Sequence, residues 1–114
     1  MGNKKYWQVI IDRPLGSRHP YYKNIRYPVN YGYIPGLPAP DGEEQDAYLL
    51  GVEYPVGVCR GRLLAVIRRR NDVEDKWVVA PEGFSFSKDE IQRQTAFIEQ
   101  YFDSEIIMMN PPCP

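Results

Sequence analysis

One histidine, His19, and two cysteines, Cys59 and Cys113, are all the imidazole and thiol metal ligands this sequence has. A closed Cys/His zinc site needs four such side chains, so the chain cannot build one unaided. A histidine-based triad would have to run through His19, and there is no Gly-x-Ser-x-Gly elbow to serve it. No glycine-rich loop precedes a helix, which excludes a P-loop. Basic excess is missing too. Lys and Arg number 14 against 15 Asp and Glu, a net charge of −1, whereas dedicated nucleic-acid binders carry a clustered positive surplus. No apolar run is long enough to span a bilayer, and Lys4-Lys5 followed by Tyr-Trp-Gln interrupts any hydrophobic leader. The expectation is therefore a cytoplasmic protein with reduced thiols and neither a membrane nor a nucleic-acid partner. Its 114 residues suffice for one core, so a single domain over 1–114 is expected, with about 110–114 a frayed tail.

What the sequence has instead is eleven prolines, nine glycines and nine tyrosines, the composition of short elements joined by tight turns. Residues 6–11 read as a strand of aromatic and β-branched residues, closed by Pro14, Gly16 and Pro20. Residues 26–34 are extended, with Pro28 suited to an edge and Gly32 to a bulge or a close backbone approach. A Pro/Gly turn, 35–40, leads into an apolar strand at 47–52. After a turn-rich stretch, 53–61, come strands at 62–68 and 77–80. Ser87-Lys-Asp-Glu90 is a capping box opening one helix, 88–102, whose stripe carries Ile91, Thr95, Ile98 and Phe102. Residues 105–109 add a short strand. The fold expected is mostly β with one C-terminal helix (α+β), a small closed or half-closed OB-like β-barrel with the helix packed on it.

Two acidic clusters punctuate these strands: Asp41-Gly-Glu-Glu-Gln-Asp46 and Asp72-Val-Glu-Asp-Lys76. Closely packed carboxylates repel one another unless a cation sits among them, and oxygen-only donors suit a hard cation such as Mg²⁺. Asp12 stands at another strand end. Tyr31, Tyr33 and Tyr101 are phenolic donors. Carboxylates, a lysine and tyrosines converging at the barrel mouth match what phosphoryl transfer to water requires. The metal neutralises phosphate charge and acidifies water, while cationic side chains steady the leaving group.

These residues carry a family resemblance. Tyr27-Pro-Val-Asn-Tyr-Gly-Tyr-Ile34, then Asp41-Gly-Glu-Glu-Gln-Asp46, then Asp72…Lys76-Trp-Val-Val-Ala-Pro81 resembles the family I soluble inorganic pyrophosphatases. Their pattern is Tyr-Pro-x-Asn-Tyr-Gly-Tyr-Ile, Asp-Gly-Asp-x-x-Asp and, later, Asp-x(4)-Asp-x-Lys. The resemblance implies Mg²⁺-dependent hydrolysis of pyrophosphate or a similar small phosphoanhydride, with Mn²⁺ as an alternative metal, in a homo-oligomer. It implies Asp12, Asp41, Asp46 and Asp72 as metal ligands, with Glu74 or Asp75 as a further one. Glu43 would orient the attacking water and act in catalysis beside Asp46 and Lys76. Tyr31, Tyr101 and Lys76 would hold the substrate, with Arg18 expected beside them as a substitute for a cation that the pattern has and this sequence lacks. The sequence departs from the pattern in three places. A stretch supplying a lysine and an arginine is missing across 17–27, Glu43 replaces an aspartate, and Phe102 replaces a lysine. Arg18, His19 and Arg26, or Arg68–Arg70, are available as substitute cations. The alternative reading is a relative that keeps the metal and phosphate cluster for binding alone.

Overall fold

The computed structural model describes residues 5–109; the expected frayed tail at 110–114, with Cys113, lies outside them. The elements are β1 (Trp7–Arg13), β2 (Asn30–Pro38), β3 (Glu44–Leu49), β4 (Val58–Arg69), β5 (Asp75–Ala80), α1 (Lys88–Glu99) and β6 (Ser104–Met108). They form one sheet in the order β1-β2-β3-β5-β4-β6, and a further pairing of β1 with β4 closes five strands into a barrel. The expected barrel with one late helix is what forms.

Two strands have other bounds than their sequence patterns suggest: β2 is shifted along the chain and β4 is longer. β2 continues through Pro35-Gly36-Leu37-Pro38 by a bulge that re-pairs Pro38 with Glu44, so only residues 39–43 make the turn. β4 begins at Val58, four residues early, because Val58–Gly61 pair with β1. Its other half pairs with β5 and β6. One strand thus serves two neighbourhoods, and its register shift between Leu63 and Ala65 supplies the bend that barrel closure needs.

Side chains alternate across this wall. Val9, Ile34, Ala47, Leu49 and Val79 pack with Cys59 and Trp77 in the barrel interior. Tyr48, Leu50, Ala65, Ile67 and Val78 face outward and pack against Ile91 and Phe97 of α1. The helix starts where expected. Ser87 Oγ accepts from the Glu90 N–H, and the Glu90 carboxylate accepts from the Ser87 N–H. It ends at Glu99 rather than at 102, and Tyr101 and Phe102 lie in the turn beyond.

Asn30 ties the loops to the barrel. Fully buried, it accepts from the Leu15 N–H and donates to the carbonyls of Val52 and Tyr54. Gly32 permits the close approach of β1: a Cβ there would lie 1.8 Å from the Ile10 carbonyl oxygen. No helix among the described residues is long and apolar enough to cross a membrane.

Candidate active site

The barrel register sets the first pair. β3 and β5 run parallel with Ala47 opposite Trp77, which puts Asp46 beside Lys76 on the outer wall, in phase with Tyr48 and Val78. Lys76 Nζ donates to Asp46 Oδ2 at 2.7 Å and lies 2.7 Å from Glu74 Oε1. It also sits over the Tyr31 ring, 5.6 Å from its centroid. Asp75 is one residue out of phase, on the opposite face of β5, and its carbonyl accepts from Gln45 Nε2. Of the two alternatives, Glu74 is therefore the one that joins Lys76.

Arg69, at the end of β4, is the second cation, buried with 5% of its side chain exposed. Its Nε and Nη2 donate to the two oxygens of Glu99 at 3.1 and 2.7 Å. Its Nη1 lies 3.4 Å from Glu74 and 3.8 Å from Asp72. The guanidinium stacks over Phe102, 3.7 Å from the ring centroid. Tyr48 and Ser104 hydroxyls donate to the same Glu99 carboxylate.

These contacts settle the charge states near neutral pH. Burial works against the Lys76 ammonium, but Tyr31, Asp46 and Glu74 overcome it and raise its pKa. Burial likewise opposes the Arg69 charge and is outweighed by Glu99. It also pushes the phenols of Tyr31 and Tyr48 up, so both stay neutral. For Glu99, burial is outweighed by the bonds from Arg69, Ser104 and Tyr48, which lower its carboxyl below the ordinary value.

Beside the cluster, between the barrel wall and the turn after α1, opens a cavity of about 510 Å³ whose lining includes Tyr31, Lys76, Arg69, Tyr101 and His19. Of the candidate side chains, Tyr31, Asp46, Glu74 and Lys76 meet with Arg69 on the outer wall, not at a barrel mouth. Tyr101 is at the cavity edge, 65% exposed. Asp72 is joined through Arg69 and caps the Val73 N–H. Asp12 is exposed beside Arg13 and acts electrostatically on Tyr27. Asp41 and Glu43 stand exposed on the β2–β3 turn, where Asp41 accepts from the Glu43 N–H. Arg18 is exposed, bridges to Arg26 through the backbone and is not among the residues lining the cavity.

Arg69 was hidden within Arg68-Arg69-Arg70, yet a signal existed. Counted back from Lys76, the Asp-x(4)-Asp-x-Lys spacing lands on Glu74 and on Arg69, so a cation stands where the pattern has its first aspartate. Glu99 had no signal.

Among the described residues, no three Asp, Glu, His or Cys side chains form a ready cation cage. Mg²⁺ does not require one. It keeps several waters and typically uses one or two carboxylates plus substrate phosphate oxygens. The donors fit that habit. Among the described residues, the cations paired with Asp46, Asp72, Glu74 and Glu99 are Lys76 and Arg69, a surplus of two negative charges that one divalent cation would balance.

No protein-family model matches the sequence, and no curated protein does. Solved structures do. The inorganic pyrophosphatase of Ehrlichia chaffeensis superposes with a TM-score of 0.68 at 24% identity, over 91% of this chain and 86% of that one. The fold is the inorganic pyrophosphatase fold. The Helicobacter pylori inorganic pyrophosphatase is similar with a TM-score of 0.66 at 18% identity, covering 93% of this chain and 83% of that one. The Thermus thermophilus inorganic pyrophosphatase gives 0.62 at 17%, covering 96% and 83%. Identities this low carry the architecture and leave the activity to be argued from the site.

Proposed function

We propose that this chain is a Mg²⁺-dependent hydrolase of small phosphoanhydrides, with inorganic pyrophosphate its simplest substrate. The observation that carries the reading is the pair of buried cations, Lys76 and Arg69, in the wall of one cavity with the Asp46 and Glu74 oxygens beside them. Lys76 and Arg69 attract the phosphoryl oxygens, and the neutral Tyr31 hydroxyl is available to donate to them. Asp46 and Glu74 would hold the cation, with Asp72 joined to them through Arg69 and with Asp41, five residues before Asp46, and Asp12 as further candidate ligands. When bound, Mg²⁺ supplies charge neutralisation and a more acidic water. Glu43, exposed on the turn that leads into β3, would be the carboxylate that orients the attacking water.

A second reading, binding without turnover, is favoured by one observation: Lys76 is already shared between two carboxylates at 2.7 Å each. Phosphate release from pyrophosphate separates the two. Turnover that needs Mg²⁺, stops in EDTA and is lost in Asp46→Asn supports hydrolysis. Mg²⁺-dependent calorimetric binding of pyrophosphate without turnover supports the binding module. Neither signal sinks both. The same proposal includes a homo-oligomer sealed along β6. Among the described residues β6 pairs only with β4, and Ile107, Met108 and Met109 are exposed along or beside it. Sedimentation showing a monomer at micromolar concentration would overturn that part.

A further inference from the structure

The cavity beside Lys76 and Arg69 has more than a bare diphosphate can use. A pyrophosphate ion presents only charged oxygens, so it draws on cations, hydroxyls and metal. Yet much of this wall is ring: His19, Tyr22, Tyr27, Tyr31, Tyr101 and Phe102 all contribute, and no carboxylate is among the lining residues. The volume, about 510 Å³, lies within the range of roughly 300–1,000 Å³ typical of sites for drug-sized organic ligands. The rings are organised. His19 Nδ1 accepts the backbone N–H groups of Tyr21 and Tyr22 at 3.1 and 3.2 Å, folding the 19–22 segment so that the Tyr22 ring lies 5.1 Å from the imidazole. The imidazole in turn lies nearly parallel to Tyr27, 6.2 Å between centroids with an interplanar angle of 7°. Tyr22 and Tyr101 remain 63% and 65% exposed. Two exposed tyrosines lining a cavity that also holds two buried cations make an amphipathic site: charge for phosphates at one part, ring faces for a planar group at another.

We propose that the site takes a phosphoanhydride bearing a planar aromatic group, a nucleoside diphosphate, in preference to inorganic pyrophosphate; this rests on the phosphoanhydride reading above. Its terminal phosphates meet Lys76 and Arg69, and its base stacks on the rings at the cavity edge. In hydrolysis, water oxygen bonds to the terminal phosphorus as the bridging P–O bond breaks, yielding orthophosphate and a nucleoside monophosphate with release of one proton. No electron transfer is involved.

The test compares calorimetric binding of two methylene-bridged, non-hydrolysable probes, methylenediphosphonate and its adenosine ester, with Mg²⁺ present. One stacked base is worth roughly 1–3 kcal/mol, so the adenosine probe is expected to bind about 5- to 150-fold tighter. Tyr22→Ala removes an exposed ring without removing either backbone bond to His19, and it should shrink that preference about tenfold. Equal or weaker binding of the adenosine probe, or a preference unmoved by Tyr22→Ala, overturns the inference. If methylenediphosphonate alone binds, the pyrophosphatase reading stands and the nucleotide one falls. If neither probe binds, both fall.

Discussion

Replacing Arg69 by methionine tests whether the charge network holds the site together. Methionine keeps an apolar stem for Phe102 to pack against and removes the guanidinium. The residue left behind decides the cost. Glu99 is buried, with 7% of its side chain exposed, and it would keep only the Tyr48 and Ser104 hydroxyls. Breaking a buried ion pair from one side costs about 3–5 kcal/mol, chiefly because the surviving charge is stranded. With a urea slope of about 1–3 kcal/mol/M for a small domain, the unfolding midpoint should fall by roughly 2 M at pH 7. Removing the stranded charge as well, in Arg69→Met/Glu99→Gln, should restore most of the loss. The pH dependence gives an independent check. In the parent protein the Glu99 carboxyl lies below its ordinary value of 4.5, so its contribution is complete above that value and disappears as pH falls below it. In Arg69→Met, burial without the guanidinium raises Glu99 instead, and the deficit should narrow as pH drops from 7 toward 5. A single variant within 1 kcal/mol of the parent, or a double variant no better than the single, would refute the network argument.

Lys76→Met removes a buried cation while its partners Asp46 and Glu74 remain partly solvated, 38% and 34% exposed. Phosphate release should fall by about 10²-fold or more, the scale for losing one preorganised electrostatic group, and retained turnover would exclude Lys76 from the chemistry. Gly32→Ala would force its Cβ to within 1.8 Å of the Ile10 carbonyl oxygen; destabilisation of about 3 kcal/mol or more is expected, read as a lowered thermal midpoint. Ser87→Ala removes one half of the α1 capping box and should cost about 1 kcal/mol, a loss that a denaturant titration resolves.

Much of the site was legible because its residues lie on regular elements beside recognisable turns. Tyr31, Asp46 and Lys76 were named from sequence, and the barrel register puts Asp46 and Tyr31 against Lys76. Parity along one strand separates Glu74 from Asp75. The boundaries of β2 and β4 were less legible, since a bulge lets Pro38 pair with β3 and a distant strand, β1, pairs with Val58. Arg18 looked as suitable a cation as any, but its loop leaves it exposed.

The sequence alone determined whatever depends on near neighbours: the alternation of the strands, the capping box at Ser87 and the turn that opens the acidic stretch at Asp41. These follow from backbone sterics and from hydrogen bonds between residues a few positions apart. Tertiary structure alone gave Arg69 a buried partner from across the fold. It also made a helical glutamate that partner, and it put the site on the barrel's outer wall. Arg69 and Glu99 are thirty residues apart. Nothing near either one signals the other, because burying each charge is tolerable only once the helix and the barrel wall have closed around both.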